Sequence, residues 1–173
     1  MSNLTRLSHG LKAGKLNCQV VIETPKGSRA KYAYEPESRA FKLKRLLPDG
    51  MAFPLDFGFV PSTKGQDGDP LDILVLNDEP LAMGALAEVR LIGVVEAEQT
   101  QKGKTVRNDR ILAATEASFL YEAINAIDDL GQAFVRNLTQ FWVNYDALRG
   151  VGFKVLGVRD ADRAAALIRK AEI

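Results

Sequence analysis

Apolar and polar positions along this chain change their period from the N-terminal part to the C-terminal part, and the elements follow from that change. Leu4, Leu7 and Leu11 are spaced like one face of a short helix that Gly10 and Gly14 limit. From residue 19 the period becomes two. Residues 19–24 are β-branched and apolar, and Pro25, Lys26 and Gly27 then make a turn. Residues 31–35 and 40–46 alternate apolar with polar around Pro36-Glu37-Ser38, which predicts a strand meander. Residues 53–60 continue the β pattern, broken by Pro54, and 71–76 form an apolar run that reads as a buried strand. Residues 85–98 predict a long strand bent at Gly93, 99–104 a polar hairpin loop, and 110–113 a returning strand. In the last third Phe134, Val135, Leu138, Phe141, Trp142, Tyr145 and Leu148 recur at helical spacing. Asp129 and Gln132 resemble a capping box, Gly150 a helix stop, 151–158 a closing strand and 160–170 a final Ala-rich helix. Strands first and helices last predict an α+β fold, a curled antiparallel sheet flanked by helices.

Composition bounds this picture. A chain of 173 residues with 46% hydrophobic content suits one domain over 1–173. No apolar run approaches the ~20 residues of a membrane span, and residues 1–6 lack a signal-like apolar stretch, so the expectation is a cytoplasmic protein with no membrane partner. Lys+Arg 23 against Asp+Glu 22 leaves +1, which gives no global electrostatic reason to expect nucleic acid. Cys18 stands alone, in keeping with a reducing compartment. His9 is the only histidine, which argues against a His-rich zinc site or a Ser-His-Asp triad, and it is expected to be exposed on the N-terminal helix.

The densest chemistry lies at Asp67-Gly68-Asp69-Pro70-Leu71-Asp72, where three carboxylates fall within six residues and lead into the apolar run. In an extended backbone Asp67 and Asp69 share a face and Asp72 points away. A turn at Gly68 and Pro70 brings the three together, since Gly permits positive φ and Pro fixes φ near its turn value. That geometry suits one hard cation such as Mg²⁺, which takes oxygen ligands and often substrate phosphates. An EF-hand is excluded, because its loop needs Gly at the sixth position and Glu at the twelfth, and these are Asp72 and Asp78. From composition alone a solvated turn before a core strand remains open.

D-x-D-P-x-D followed by an apolar strand resembles the signature of the soluble family I inorganic pyrophosphatases, and the likeness runs from about Val20 to about Asp160. The resemblance implies a five-stranded OB-like antiparallel β-barrel flanked by helices, with the site at its mouth. It implies Mg²⁺-dependent hydrolysis of inorganic pyrophosphate to two orthophosphates by in-line attack of a metal-bound water. On the family pattern Asp67 and Asp72 hold Mg²⁺, Glu23 helps carry a further metal ion, and Asp69 is the general base. Lys31, Arg45, Arg110 and Tyr145 bind phosphate. A homo-oligomer, a hexamer in many bacterial members, is also implied.

The departures from that pattern are Ala33 for an acid, Phe57 for a Tyr, Gln99 and Asn108 for two metal-site Asp residues, and Asp146 for a phosphate-binding Lys. Arg110 keeps the charge of a Lys. Glu98 or Asp109, each one residue from a lost acid, would compensate if the register shifted. Two alternatives stay open: a hydrolase of the same fold acting on another phosphate compound, and an inactive OB-like module. The latter would bind phosphate or single-stranded nucleic acid across Lys31, Arg45, Tyr32, Tyr34 and Phe41.

Overall fold

A computed structural model describes residues 3–173. After a 3₁₀ turn at Leu4–Arg6 the strands are β1 (Asn17–Thr24), β2 (Ala30–Glu35), β3 (Ala40–Leu46), β4 (Asp56–Val60), β5 (Leu71–Leu76), β6 (Leu86–Gln101), β7 (Lys104–Arg107), β8 (Arg110–Thr115) and β9 (Gly152–Arg159). The helices are α1 (Gln132–Ala147) and α2 (Ala161–Ala171), with a second 3₁₀ turn at Ile127–Leu130. The fold is α+β, as the periodicity predicts.

Pairings run β1-β4-β5-β8-β6 and return from β6 to β1, a ring of five strands. Four of these contacts are antiparallel and β5 with β8 is parallel. This corrects the fully antiparallel expectation, and the reason is parity. Strand directions that alternate around a closed ring of odd number must repeat once, so one neighbouring pair has to be parallel. Strands β7 and β9 extend the sheet along β6, and β2 with β3 form a separate hairpin. That hairpin is tied to β1 by Thr24, whose hydroxyl donates to the Tyr32 carbonyl at 3.1 Å and accepts from the Tyr32 N–H at 3.0 Å.

Both faces of the ring are covered. Leu74 and Leu76 join the cluster beneath α1, with Phe53, Phe57, Ile92, Leu112 and Trp142. Ile73 and Val75, their neighbours on the opposite face, join Val20, Ile22, Leu91 and Ile111 beneath Ala161, Ala164, Ala165 and Ile168 of α2. The strand is therefore apolar without interruption although its side chains alternate. Strand β6 slips register between Leu91 and Gly93, where the bend was expected, and a Cβ at Gly93 would lie 2.5 Å from the Arg159 carbonyl oxygen.

Two local expectations are corrected. Asp129 caps the 3₁₀ turn, not α1: one carboxylate oxygen accepts from the N–H groups of Asn125 and Ala126, each at 2.9 Å, and α1 starts after Gly131 without a side-chain cap. His9 is buried at 4% exposure, outside any helix. Its Nδ1 accepts the Leu11 N–H, and its Nε2 faces Glu172 at 3.4 Å beside the C-terminus. A single turn of 3₁₀ helix is too short to carry Leu4 through Leu11 as one face: Leu4 and Leu7 pack against Val21, Tyr34 and Phe59, and Leu11 joins the separate cluster beneath α2.

Candidate active site

The loop between β4 and β5 brings the three signature carboxylates to one cleft. The Gly65 N–H donates to the Asp69 carbonyl at 2.7 Å, the Gly68 N–H to the Gly65 carbonyl at 3.2 Å, and the Asp69 N–H to Asp67 Oδ1 at 3.1 Å. Gly68 takes φ +93°, open to Gly at no steric cost. The Thr63 hydroxyl staples the loop ends, donating to the Val60 carbonyl at 2.6 Å and accepting the Leu71 N–H at 3.0 Å. Asp72 follows on β5, opposite Phe59 of β4. The cleft has a volume of about 490 Å³ and is lined by all eight residues assigned a role from sequence: Glu23, Lys31, Arg45, Asp67, Asp69, Asp72, Arg110 and Tyr145.

Their pairings divide them. Arg110, 3% exposed, donates from one guanidinium nitrogen to Asp72 Oδ2 and to Asn108 Oδ1, each at 2.5 Å. Its guanidinium carbon sits 4.5 Å from the centre of the Trp142 ring, a cation–π contact. Lys31 Nζ lies 3.4 Å from Glu23 Oε2 and 3.5 Å from the centre of the Phe57 ring, so the position lacking a Tyr hydroxyl presents a ring face to a cation. Glu23 Oε1 accepts the Tyr34 N–H at 2.7 Å. Burial pushes the Glu23 carboxyl up and the Lys31 amine down, and each charge opposes the shift of the other. Asp67 and Asp69 make no ion pair among the described residues. Partial burial raises both above the usual carboxylate range, and the neighbouring Asp72 charge adds to the rise. Asp67 and Asp69, crowded beside Asp72, suit a hard divalent cation, which would relieve their repulsion. No group of three or more His, Cys, Asp or Glu side chains converges on one metal position among the described residues. Asp72 and Glu23 are already held by Arg110 and Lys31.

A hydrogen-bonded chain crosses the back of the cleft. Asn108 Nδ2 donates to Gln99 Oε1 at 2.8 Å, and Gln99 Nε2 donates to Asp146 Oδ2 at 2.6 Å. Asp146 Oδ1 accepts from Arg149 at 2.9 Å. Asp146 is therefore not a phosphate contact of reversed sign: it is fully buried, and Arg149, one turn further along, presents the charge to the cleft. Sequence reading missed Arg149 and Trp142; the Asp146-x-x-Arg149 spacing signals the first, and nothing distinguishes the second from a core residue. Tyr145 is buried among Phe53, Phe141 and Trp142, with Arg45 and Arg149 each 5.6 Å from its ring centre.

Glu98 and Asp109 do not compensate for the lost acids. Asp109 Oδ1 accepts from the Ala97 N–H at 2.9 Å and from Arg107 at 2.9 Å, and neither residue lines the cleft, because a step of one residue reverses the face of a strand. The aromatic platform does not form either: Tyr34 is 8% exposed between Phe41 and Phe59.

A family profile for inorganic pyrophosphatase matches residues 20–172. The inorganic pyrophosphatase of Thermus thermophilus is 37% identical over 172 residues, 98% of this chain and 95% of its own. That of Methanosarcina acetivorans is 35% identical over 153 residues, 88% of this chain and 89% of its own. The chain belongs to the inorganic pyrophosphatase family. The crystal structure of the Thermus thermophilus pyrophosphatase superimposes with a TM-score of 0.87 at 35% identity, covering 98% of this chain and 97% of that one. A pyrophosphatase from Neisseria gonorrhoeae gives 0.86 at 30% identity, with 95% and 94% covered. Membership in the pyrophosphatase family implies a divalent metal cofactor, and the open carboxylates Asp67 and Asp69 beside Asp72 suit it.

Proposed function

We propose that this chain, acting as a single domain over 1–173, hydrolyses inorganic pyrophosphate to two orthophosphates with Mg²⁺ as its divalent cofactor. The observation that carries the reading is the cleft itself: two unpaired carboxylates share one space with five cationic side chains and two tyrosines. Two buried donors of cleft-lining residues, Arg110 Nε–H and Trp142 Nε1–H, have no acceptor among the described residues, which favours an oxyanion as the ligand.

Asp67 and the free oxygen of Asp72 would hold the cation; Glu23 joins them only on releasing Lys31. A bound divalent ion supplies charge stabilisation for phosphate and lowers the pKa of water toward neutrality. Arg45 offers a planar fork to two phosphate oxygens, Lys31 a point charge, and Tyr145 and Arg110 further donors, so that the anhydride is held in line for attack. Asp69 accepts no side-chain hydrogen bond and no ion pair among the described residues, so it is free to take the proton of the attacking water. Burial, with the Asp72 charge beside it, raises its pKa, which strengthens it as a base.

Phosphate release from pyrophosphate is measured across a Mg²⁺ titration for the wild type and Asp69→Asn. The substitution is expected to lower kcat about 10²–10⁴-fold, the usual worth of a general base, with folding intact. Release unchanged by the substitution removes Asp69 from the mechanism. Absence of release at every Mg²⁺ and Mn²⁺ concentration overturns the proposed activity, and a panel of organic phosphate esters and anhydrides then identifies the substrate. A cytoplasmic setting with the free thiol Cys18, and a homo-oligomer, belong to the same reading. Phe119 and Leu120, 87% and 74% exposed on a single chain, favour assembly, which light scattering tests.

A further inference from the structure

We infer that Arg110 acts as a built-in cation in place of one divalent metal, fixed on Asp72 by the Asn108–Gln99–Asp146 chain, so that the substrate-free cleft takes a single divalent ion. The inference rests on the proposed reading only in treating the cleft as a divalent-cation site.

The argument begins with charge. Among the described residues, the acids of the cleft other than Asp67 and Asp69 already have partners. Glu23 has Lys31 at 3.4 Å, Glu35 has Lys42 at 3.3 Å and Lys44 at 3.7 Å, and Asp72 has Arg110 at 2.5 Å. Asp67 and Asp69 remain, two negative charges, with Arg45 the cation left for substrate. Two carboxylate charges balance one divalent ion. A guanidinium stays charged in a protein, so a buried Arg110 needs an anion beside it, and in the substrate-free cleft Asp72 is that anion.

Position follows from the polarity of the hydrogen-bonded chain. Asp146 can only accept, so Gln99 must turn its amide nitrogen to Asp146 and its oxygen to Asn108. Asn108 must then turn its nitrogen to Gln99 and its oxygen to Arg110. Arg110 can only donate, and it ends the chain on Asp72. Each amide orientation is set from both ends, which aims the guanidinium at the carboxylate. A carboxylate at 99 or 108 would add the charge for a further metal. A lysine at 146 would reverse the chain and leave two donors facing each other at Arg110. The four departures at 99, 108, 110 and 146 thus form one connected unit, with Gln99, Asn108 and Asp146 as positioning residues for Arg110.

The test counts ions without substrate or turnover. Mn²⁺ binding to the full chain is followed by calorimetry, with electron paramagnetic resonance of the free ion giving the number bound at saturation. The wild type is expected to bind one Mn²⁺ per chain. Arg110→Gln, which removes the positive charge beside Asp72, and the nearly isosteric Asn108→Asp, which adds a negative one, are each expected to bind two. Two or more ions on the wild type overturn the inference, as does a count that stays at one in whichever of the two variants folds. Should neither fold, the wild-type count decides. A wild type that binds one Mn²⁺ yet releases no phosphate would overturn the proposed activity while supporting this inference.

Discussion

Replacing Asp146 with Asn tests the buried chain that sets the cleft, and its cost can be worked from the contacts. The two carboxylate oxygens serve separate donors, Oδ2 taking Gln99 at 2.6 Å and Oδ1 taking Arg149 at 2.9 Å, with the side chain at 0% exposure. Asn has one acceptor, so its NH₂ must oppose one of the two donors. Opposing Arg149 costs less, because that side chain is 32% exposed and can turn to water, whereas Gln99 is held by Asn108. One hydrogen bond involving charged groups is lost, worth about 1.5–3 kcal/mol, and the Gln99 bond loses its charge assistance, for a total near 2–4 kcal/mol. At about 2–4 °C per kcal/mol for a domain of this size, Tm should fall by roughly 5–15 °C. Differential scanning calorimetry at neutral pH in chelator measures this without metal contributing. Asp146→Lys should fall further, since a donor-only end reverses the amides. An unchanged Tm in Asp146→Asn, or a lysine variant as stable as the wild type, refutes the polarity argument.

Three further outcomes follow. Gly58→Ala places a Cβ 2.0 Å from the Val21 carbonyl oxygen of the paired strand, backbone that cannot swing aside, so a loss of about 3 kcal/mol or more is expected in urea unfolding. Burial acts to raise the Glu96 carboxyl, but Arg163, with Arg107 and Arg159, outweighs it and holds the group below its usual 4.5. A depressed acid contributes stability above its unfolded pKa and loses it as pH falls through the folded one. The advantage of wild type over Glu96→Gln should therefore be full at neutral pH and shrink as the pH drops below 4.5, as paired urea midpoints would show. Burial pushes the Cys18 thiol up to about 12, so a thiol reagent at mildly alkaline pH should label it only after denaturant is added; labelling of the folded chain would contradict its burial.

Sequence alone determined most of the elements and singled out the charged side chains that line the cleft. Hydrophobic periodicity is a local property, and it placed every strand but β7, with α1 and α2, to within a few residues. Strand β7 (Lys104–Arg107) and the end of β6 fall where a polar hairpin loop was expected, because their side chains carry no apolar alternation, and the clustered Asp67, Asp69 and Asp72 marked a candidate cation site. Gly68 supplied the positive φ that the turn required. The tertiary structure decided what depends on closure and long-range pairing. The parallel contact of β5 with β8 follows from the odd ring, which no single strand encodes. The burial of His9 follows from the C-terminus packing beside it, 163 positions away at Glu172. The pairing of Asp72 with Arg110, and the path from Arg110 through Asn108 and Gln99 to Asp146, join residues on five elements or loops whose spacing along the chain carries no period. A pattern of neighbours can show which charges are present; which of them remain free is fixed only when distant strands bring their partners within hydrogen-bond reach.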